Sequence, residues 1–137
     1  MKQIIKSTII VILIFSFSSI KGQSNISDFT LTSNNVSSEG QNIELSTTMT
    51  KTENTIVWTQ LKNGVSDSSN FTITDLIGYW DESSSIGELI FSLVSEQNDC
   101  VLILTGQSDD LSATLIYLLD GVEDDRYLFD INSISYN

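Results

Sequence analysis

Apolar and polar residues alternate along most of the chain, and this period of two restricts the fold more than any other feature. Ile43, Leu45 and Met49 are separated by the polar residues of the segment IELSTTMT. Successive side chains of a β-strand point to opposite faces, so this alternation predicts a strand with one face in water. Thr55–Leu61 is predicted to return beside it after a polar turn at Lys51–Asn54.

Turn signals divide the first half of the chain into short segments. Asn63-Gly64 predicts a type I′ hairpin, because both residues tolerate positive φ. The Ser/Asn-rich stretch Ser33–Asn42 is predicted to be a loop, Val65–Asn70 an edge or loop, and Phe71–Thr74 a short strand. The chain contains no proline, so its turns depend on Gly, Asn, Asp and Ser.

The second half predicts an antiparallel meander of four strands: Gly87–Ser95, Cys100–Thr105, Leu111–Leu119 and a last strand through Tyr127, Phe129 and Ile131. The first of these is apolar enough to be covered on both faces. The leucines of the third leave a helix as an alternative there. Together with Ser27–Thr32, these segments make seven or eight strands. We therefore expect an all-β fold, a single antiparallel β-sandwich or flattened barrel.

The amino-terminal residues have the pattern of a cleavable signal peptide. Lys2 and Lys6 precede an apolar stretch that ends at Lys21, and Gly22 is a small residue suited to cleavage. The 14 residues between Lys6 and Lys21 are fewer than the ~20 that span a bilayer, although an amino-terminal membrane anchor is the alternative. The prediction is a signal peptide over residues 1–22, a single β domain over 23–137, and a secreted or periplasmic location.

The predicted mature domain is strongly acidic. All 18 acids but only three of the six basic residues follow position 22, which gives a net charge of −15. Such a field repels nucleic acid and anionic headgroups, so we expect a protein or glycan partner and no nucleic-acid partner. A second apolar stretch long enough for a membrane span is absent from the sequence.

Histidine is absent, which excludes Ser-His-Asp triads, Cys-His dyads and most zinc sites. Cys100 is the only cysteine, lies in an apolar run, and is predicted to be buried and inert. Asp81 and Glu82 could serve a carboxylate-dependent hydrolase, but neighbours on a strand point to opposite faces. The prediction is a non-catalytic domain, with such a hydrolase as the second alternative.

The acidic segment from Asp120 to Asp125 is predicted to be a long turn. Its side chains Asp120, Glu123, Asp124 and Asp125 are weak candidates for a calcium site, since clustered carboxylates supply the oxygens that calcium needs. The spacing departs from an EF-hand, because glycine stands second and Ile131 twelfth. A solvated loop explains the same residues, and no cofactor is predicted.

Three large aromatic residues are candidates for surface binding. Trp58, Tyr79 and Trp80, if exposed on a sheet face, could stack on sugar rings or anchor a protein partner. Core packing is the competing explanation. The function predicted from the sequence is an exported, acidic, non-catalytic binding or structural module for protein or glycan.

Two short resemblances concern the fold. Gly78-Tyr79-Trp80 resembles the Gly-x-Trp that opens calycin barrels (lipocalins and avidins), although only 57 residues follow Trp80. This resemblance implies, as the first alternative function, a carrier of a small apolar ligand. Gly40–Leu45, Trp58 and Asn70–Leu76 are similar to strands B, C and E of an immunoglobulin-like domain, which implies a sandwich.

Overall fold

The computed structural model describes residues 26–96 and 98–137. The predicted signal peptide, residues 1–22, lies outside the described residues. The described chain forms eight antiparallel strands: β1 Phe29–Ser38, β2 Gln41–Thr52, β3 Thr55–Lys62, β4 Val65–Asp81, β5 Ile86–Ser95, β6 Asn98–Gln107, β7 Asp110–Leu119 and β8 Val122–Tyr136. The all-β prediction is confirmed, and Leu111–Leu119 belongs to β7 rather than to a helix.

The strands close into one barrel in the order in which they follow along the chain. Each strand pairs with its sequence neighbour, and β8 returns to pair with β1, from Phe29 opposite Tyr136 to Ser38 opposite Tyr127. The meander predicted for the second half therefore extends through the whole domain. The barrel alternative is confirmed and the sandwich is not formed, because the inner faces of one closed sheet supply the whole core.

The predicted loop at Ser33–Asn42 is wrong. Strand β1 continues to Ser38, a two-residue turn follows, and β2 begins at Gln41. This polar segment continues as a strand across a β-bulge between Ser33 and Asn35. The Ser33 hydroxyl bridges the bulge, because it contacts the carbonyl oxygens of Asn35 and Asp130 at 2.8 and 2.7 Å. Likewise, Val65–Asn70 and Phe71–Thr74 are parts of the single 17-residue strand β4.

Tight turns connect the strands at one end of the barrel. Asn63 and Gly64 have φ of 53° and 77°, which confirms the predicted type I′ turn. Asp120 and Gly121 form a similar turn with φ of 53° and 79°. The long acidic turn predicted for residues 120–125 is therefore wrong, because β8 begins at Val122.

Large side chains cross the barrel interior. Among residues 26–96 and 98–137, nineteen hydrophobic residues are buried. The rings of Phe29 and Phe91, on the opposite strands β1 and β5, lie 6.2 Å apart, and Trp58 of β3 lies 5.3 Å from Phe129 of β8. Each such buried side chain contributes on the order of 1.5–3 kcal/mol to folding. The interior of an eight-stranded barrel is about wide enough for packed side chains of this kind.

The first described residues cover one end of the barrel, which we call the capped end. Ile26 is buried there, and the backbone N–H of Ser27 donates to Glu82 Oε2 at 2.8 Å. Next to it, Lys51 is buried and its Nζ donates to Asp28 Oδ1 at 3.0 Å. The described residues contain no helix long and apolar enough to cross a membrane.

Candidate binding surface

The structure separates the three candidate aromatic residues. Trp58 and Trp80 are inside the barrel, with 4% and 6% of their surface exposed, whereas Tyr79 points outward and is 51% exposed. The expectation that Trp58 and Trp80 lie on the surface and bind a partner is therefore wrong, and both belong to the core. Alternation along the strands places Trp58 and Trp80 on the inner face, and only Tyr79 can present a ring to a partner.

Trp80 belongs to the capped end of the core. Its Nε1–H donates to the Tyr136 hydroxyl at 2.8 Å, and that hydroxyl lies 2.8 Å from Ser85 Oγ. Gly106 passes so close that an added Cβ would overlap the Ser85 carbonyl oxygen and approach the Trp80 ring. The arrangement packs the indole against backbone and satisfies its N–H, as a structural tryptophan requires.

Trp58 lies deeper, in an aromatic cluster towards the other end, which we call the far end. Its ring centroid is 5.4 Å from that of Tyr127, and Tyr127 lies 6.0 Å from Tyr117. The Trp58 Nε1–H and the Thr47 hydroxyl are buried without a hydrogen-bond partner among the described residues. Buried donors of this kind usually meet water or another polar group, so these two atoms mark a polar spot in an apolar interior.

The acidic candidates at the far end are engaged by neighbours in different ways. Arg126 holds Glu123 through two hydrogen bonds of 3.0 and 2.7 Å and lowers the pKa of that carboxyl. The Tyr127 hydroxyl donates to Asp125 Oδ2 at 2.7 Å, and this bond and burial raise the pKa of Tyr127 to about 12. Asp120 is in the preceding turn.

Asp124 and Asp125 border a hollow of about 180 Å³ at the far end, together with Tyr117, Leu119 and Tyr127. Within residues 26–96 and 98–137, no three acidic or cysteine side chains converge in an arrangement suited to a metal ion. The structure therefore places two of the four calcium candidates on this hollow and leaves Glu123 paired with Arg126.

Cys100 is buried on the inner face of β6. Burial, with a smaller contribution from the charge of Asp99, raises the pKa of its thiol to about 11. The thiol is therefore protonated at neutral pH, and a protonated, enclosed sulfur is a poor nucleophile.

The outside of strands β4 to β8 carries a largely aliphatic surface, which we call the aliphatic wall. One row runs across the strands through Ile77, Ile90, Ile103 and Leu128, interrupted only by Thr114 on β7. Flanking rows add four more members of the wall: Val94, Val101, Ile116 and Leu118. Seven of these side chains are half-buried among their neighbours on the sheet and Leu128 is 45% exposed, and no element of the described chain lies over them.

The outside of strands β1 to β3 and the first part of β4 is mostly polar, and we call it the hydroxyl wall. Its two apolar side chains are Val57 and the 50% exposed Leu61, both on β3. One row across these strands joins the hydroxyls of Thr32, Thr48, Thr59 and Ser68, and Ser133 of β8 extends it. Adjacent members are hydrogen-bonded: Thr32 Oγ1 lies 2.6 Å from Ser133 Oγ, and Thr59 Oγ1 lies 3.0 Å from Ser68 Oγ. Cross-strand hydroxyl pairs of this kind suit a sheet face that is in contact with water.

Acidic side chains border the aliphatic wall. Four exposed acids continue or flank its rows: Asp75, Glu88, Glu123 and Asp130. A fifth, Asp99 on β6, lies within the row near the far end, between Val94 and Leu118. Arg126 is the only basic residue from Val65 onward, and Glu123 already neutralises it. The surface is therefore apolar in the middle and negative at its margin.

Comparison with known proteins gives no independent assignment. No protein-family model matches the chain, and no curated protein or solved structure matches it. The geometry of the barrel is therefore the only basis for proposing a function.

The aliphatic wall is the feature that the sequence reasoning missed. Gly87–Ser95 is apolar on both faces, which by itself predicts a strand covered on both sides. Because the same pattern recurs in β6 and β7, at Val101, Ile103 and Ile116, a shared outer face could have been found by aligning the predicted hairpins.

Proposed function

We propose that this protein is an exported, non-catalytic module that binds another protein through the aliphatic wall. The observation that carries the proposal is the wall itself, eight exposed or partly exposed aliphatic side chains on five adjacent strands. Monomeric soluble proteins rarely leave a large contiguous apolar patch in water, and such patches usually mark an interaction surface.

The barrel geometry limits how the partner is bound. Each of the eight described strands has a neighbour on both sides, so the sheet offers no unpaired edge to which a partner strand could add. Aromatic side chains cross the interior at two levels. A partner is therefore expected to dock on the outer face. The eight wall residues are aliphatic, and Tyr79 beside them carries a single exposed ring. Such a face suits a protein better than a glycan, since sugar rings favour exposed aromatic residues.

The test uses one acidic substitution on each wall of the mature protein. Ile103→Asp lies in the middle of the aliphatic wall, and Thr48→Asp is the matched control in the hydroxyl wall. Each variant is immobilised and exposed to the exported proteins of the source cells. We expect at least one protein that wild type and Thr48→Asp retain and that Ile103→Asp loses. If wild type and both variants retain the same proteins, or if both variants lose them equally, the result would contradict the proposal.

A carrier of a small neutral molecule is the second candidate function. It is favoured by two buried donors, the Trp58 Nε1–H and the Thr47 hydroxyl, that have no hydrogen-bond partner among the described residues and could donate to a polar group of a ligand. The probe is 2-decanone, with decane as the control that lacks an acceptor. The carrier function predicts that the ketone alone shifts the indole N–H resonance of Trp58 in ¹⁵N spectra and that Thr47→Val weakens this effect. An unchanged resonance excludes it.

A further inference from the structure

The charges around the aliphatic wall indicate what kind of surface it binds. Four exposed acids border the wall, Asp99 lies in its row near the far end, and the one arginine there is already paired with Glu123. The five acids lie on four of the five strands that form the wall: β4, β5, β6 and β8. A partner that covers the aliphatic centre must therefore also meet negative charge around it.

The same charges argue against two other occupants. A second copy of this chain would bring its own acidic border against the first, and like charges placed together at an interface are costly. The net charge after position 22 is −15, so two copies repel one another before they make contact. An anionic lipid surface is disfavoured for the same reason.

We infer that the aliphatic wall binds a protein whose own apolar patch is bordered by lysine or arginine. This inference rests on the proposed function and adds the chemistry of the partner. Apolar contact in the centre supplies the affinity, while opposite charges at the rim guide the encounter and select the partner. Because rim charges are exposed to water, the association weakens as salt is added.

The first experiment uses a defined probe with the mature protein. The probe is a synthetic amphipathic helix of leucine and lysine, and its matched control replaces every lysine by glutamate. We expect the lysine peptide alone to bind, with amide shifts confined to β4–β8 in ¹⁵N spectra. Binding of both peptides, of neither, or of the lysine peptide to the hydroxyl wall would overturn the inference.

Two double variants separate the charge requirement from the apolar one. Glu88→Lys with Asp99→Lys reverses the border, whereas Glu44→Lys with Glu53→Lys makes the same charge change on the opposite side of the barrel. We expect the first to weaken the lysine peptide roughly two- to fivefold more than the second, a difference that 0.5 M salt removes. Equal affinities for the two variants would contradict the inferred partner chemistry.

The alternative occupants are measured in the same preparation. Sedimentation of the protein alone should show a monomer, and flotation with phosphatidylcholine vesicles should show no bound protein. A dimer that Ile90→Asp dissociates would overturn the inference in favour of a second copy. Vesicle binding that Ile90→Asp abolishes would overturn it in favour of lipid. If the lysine peptide fails while a retained protein still depends on Ile103, the proposed function stands and only the basic-partner inference is lost.

Discussion

Strands β2 and β6 both bury large apolar side chains inside the barrel, although β2 also buries Thr47 and Lys51, and their outer faces differ. Inside, β2 contributes Leu45 and Met49, and β6 contributes Leu102 and Leu104, all buried. Outside, β2 carries serine and threonine, whereas β6 carries Val101 and Ile103. A strand of this barrel can therefore carry a polar outer face, as β2 shows. The aliphatic outer face of β6 is the feature for which we propose a role in binding.

This difference between the halves was only partly accessible from sequence. Period-two alternation identified β2 because one of its faces is polar, and Asn63-Gly64 identified its turn because few residue pairs adopt two positive φ values. Closure of β1 on β8 pairs residues about 100 positions apart, which no local pattern encodes. The apolar segment Gly87–Ser95 correctly predicted a strand, β5. Its sequence alone does not indicate whether the second apolar face of that strand is covered.

The largest expected effect compares neighbouring residues of β6 on its two faces. Leu102 is 1% exposed, so Leu102→Ala should lower the free energy of unfolding by about 2–5 kcal/mol. Ile103→Thr on the aliphatic wall should change it by less than about 1 kcal/mol, since little core contact is lost. Urea denaturation measures both. Similar losses for the two variants would mean that the wall is part of a core, not a free surface.

Thiol reactivity provides a second contrast between inside and outside. The pKa of Cys100 is about 11, against an ordinary value of 9.0, and its side chain is enclosed. We expect the native thiol to react at pH 8 at least about 100-fold more slowly than the single surface thiol of a Thr48→Cys, Cys100→Ser double variant. Denaturant should abolish the difference. Comparable native rates would place Cys100 at the surface.

High pH should destabilise the half of the barrel that carries the aliphatic wall. Burial is the main cause that raises the pKa of Tyr117, on β7, from 10.0 to about 12, and Tyr127 on β8 is raised to a similar value. The stability that depends on the neutral phenols is complete below pH 10 and is lost as pH rises towards 12. The melting temperature, measured from pH 8 to 12, should fall as this stability is lost. The fall should be smaller in Tyr127→Phe. An identical pH profile for Tyr127→Phe would contradict the assignment.

Low pH should instead act on the other half, with a smaller effect. The Glu53 backbone N–H and the Lys51 ammonium hold the pKa of Asp28 below its ordinary 3.8. The stability that this carboxylate contributes is present above that value and is lost as pH falls through the lower folded pKa. We expect Asp28→Asn to lower the melting temperature at pH 7 and to flatten its decline below pH 4. Glu44→Gln, outside this contact, is the control and should retain the wild-type decline.

The central claim is that the aliphatic wall is open to water in the free protein and is covered in the complex. Methyl NMR with a soluble gadolinium chelate tests this directly, because the chelate broadens only the signals of exposed methyl groups. We predict that Ile90 and Ile103 broaden while Leu102 and Leu104 do not, and that the lysine peptide or a retained partner protects the two isoleucines. Isoleucine methyls that are shielded in the free monomer, or that stay exposed in the complex, would contradict the account.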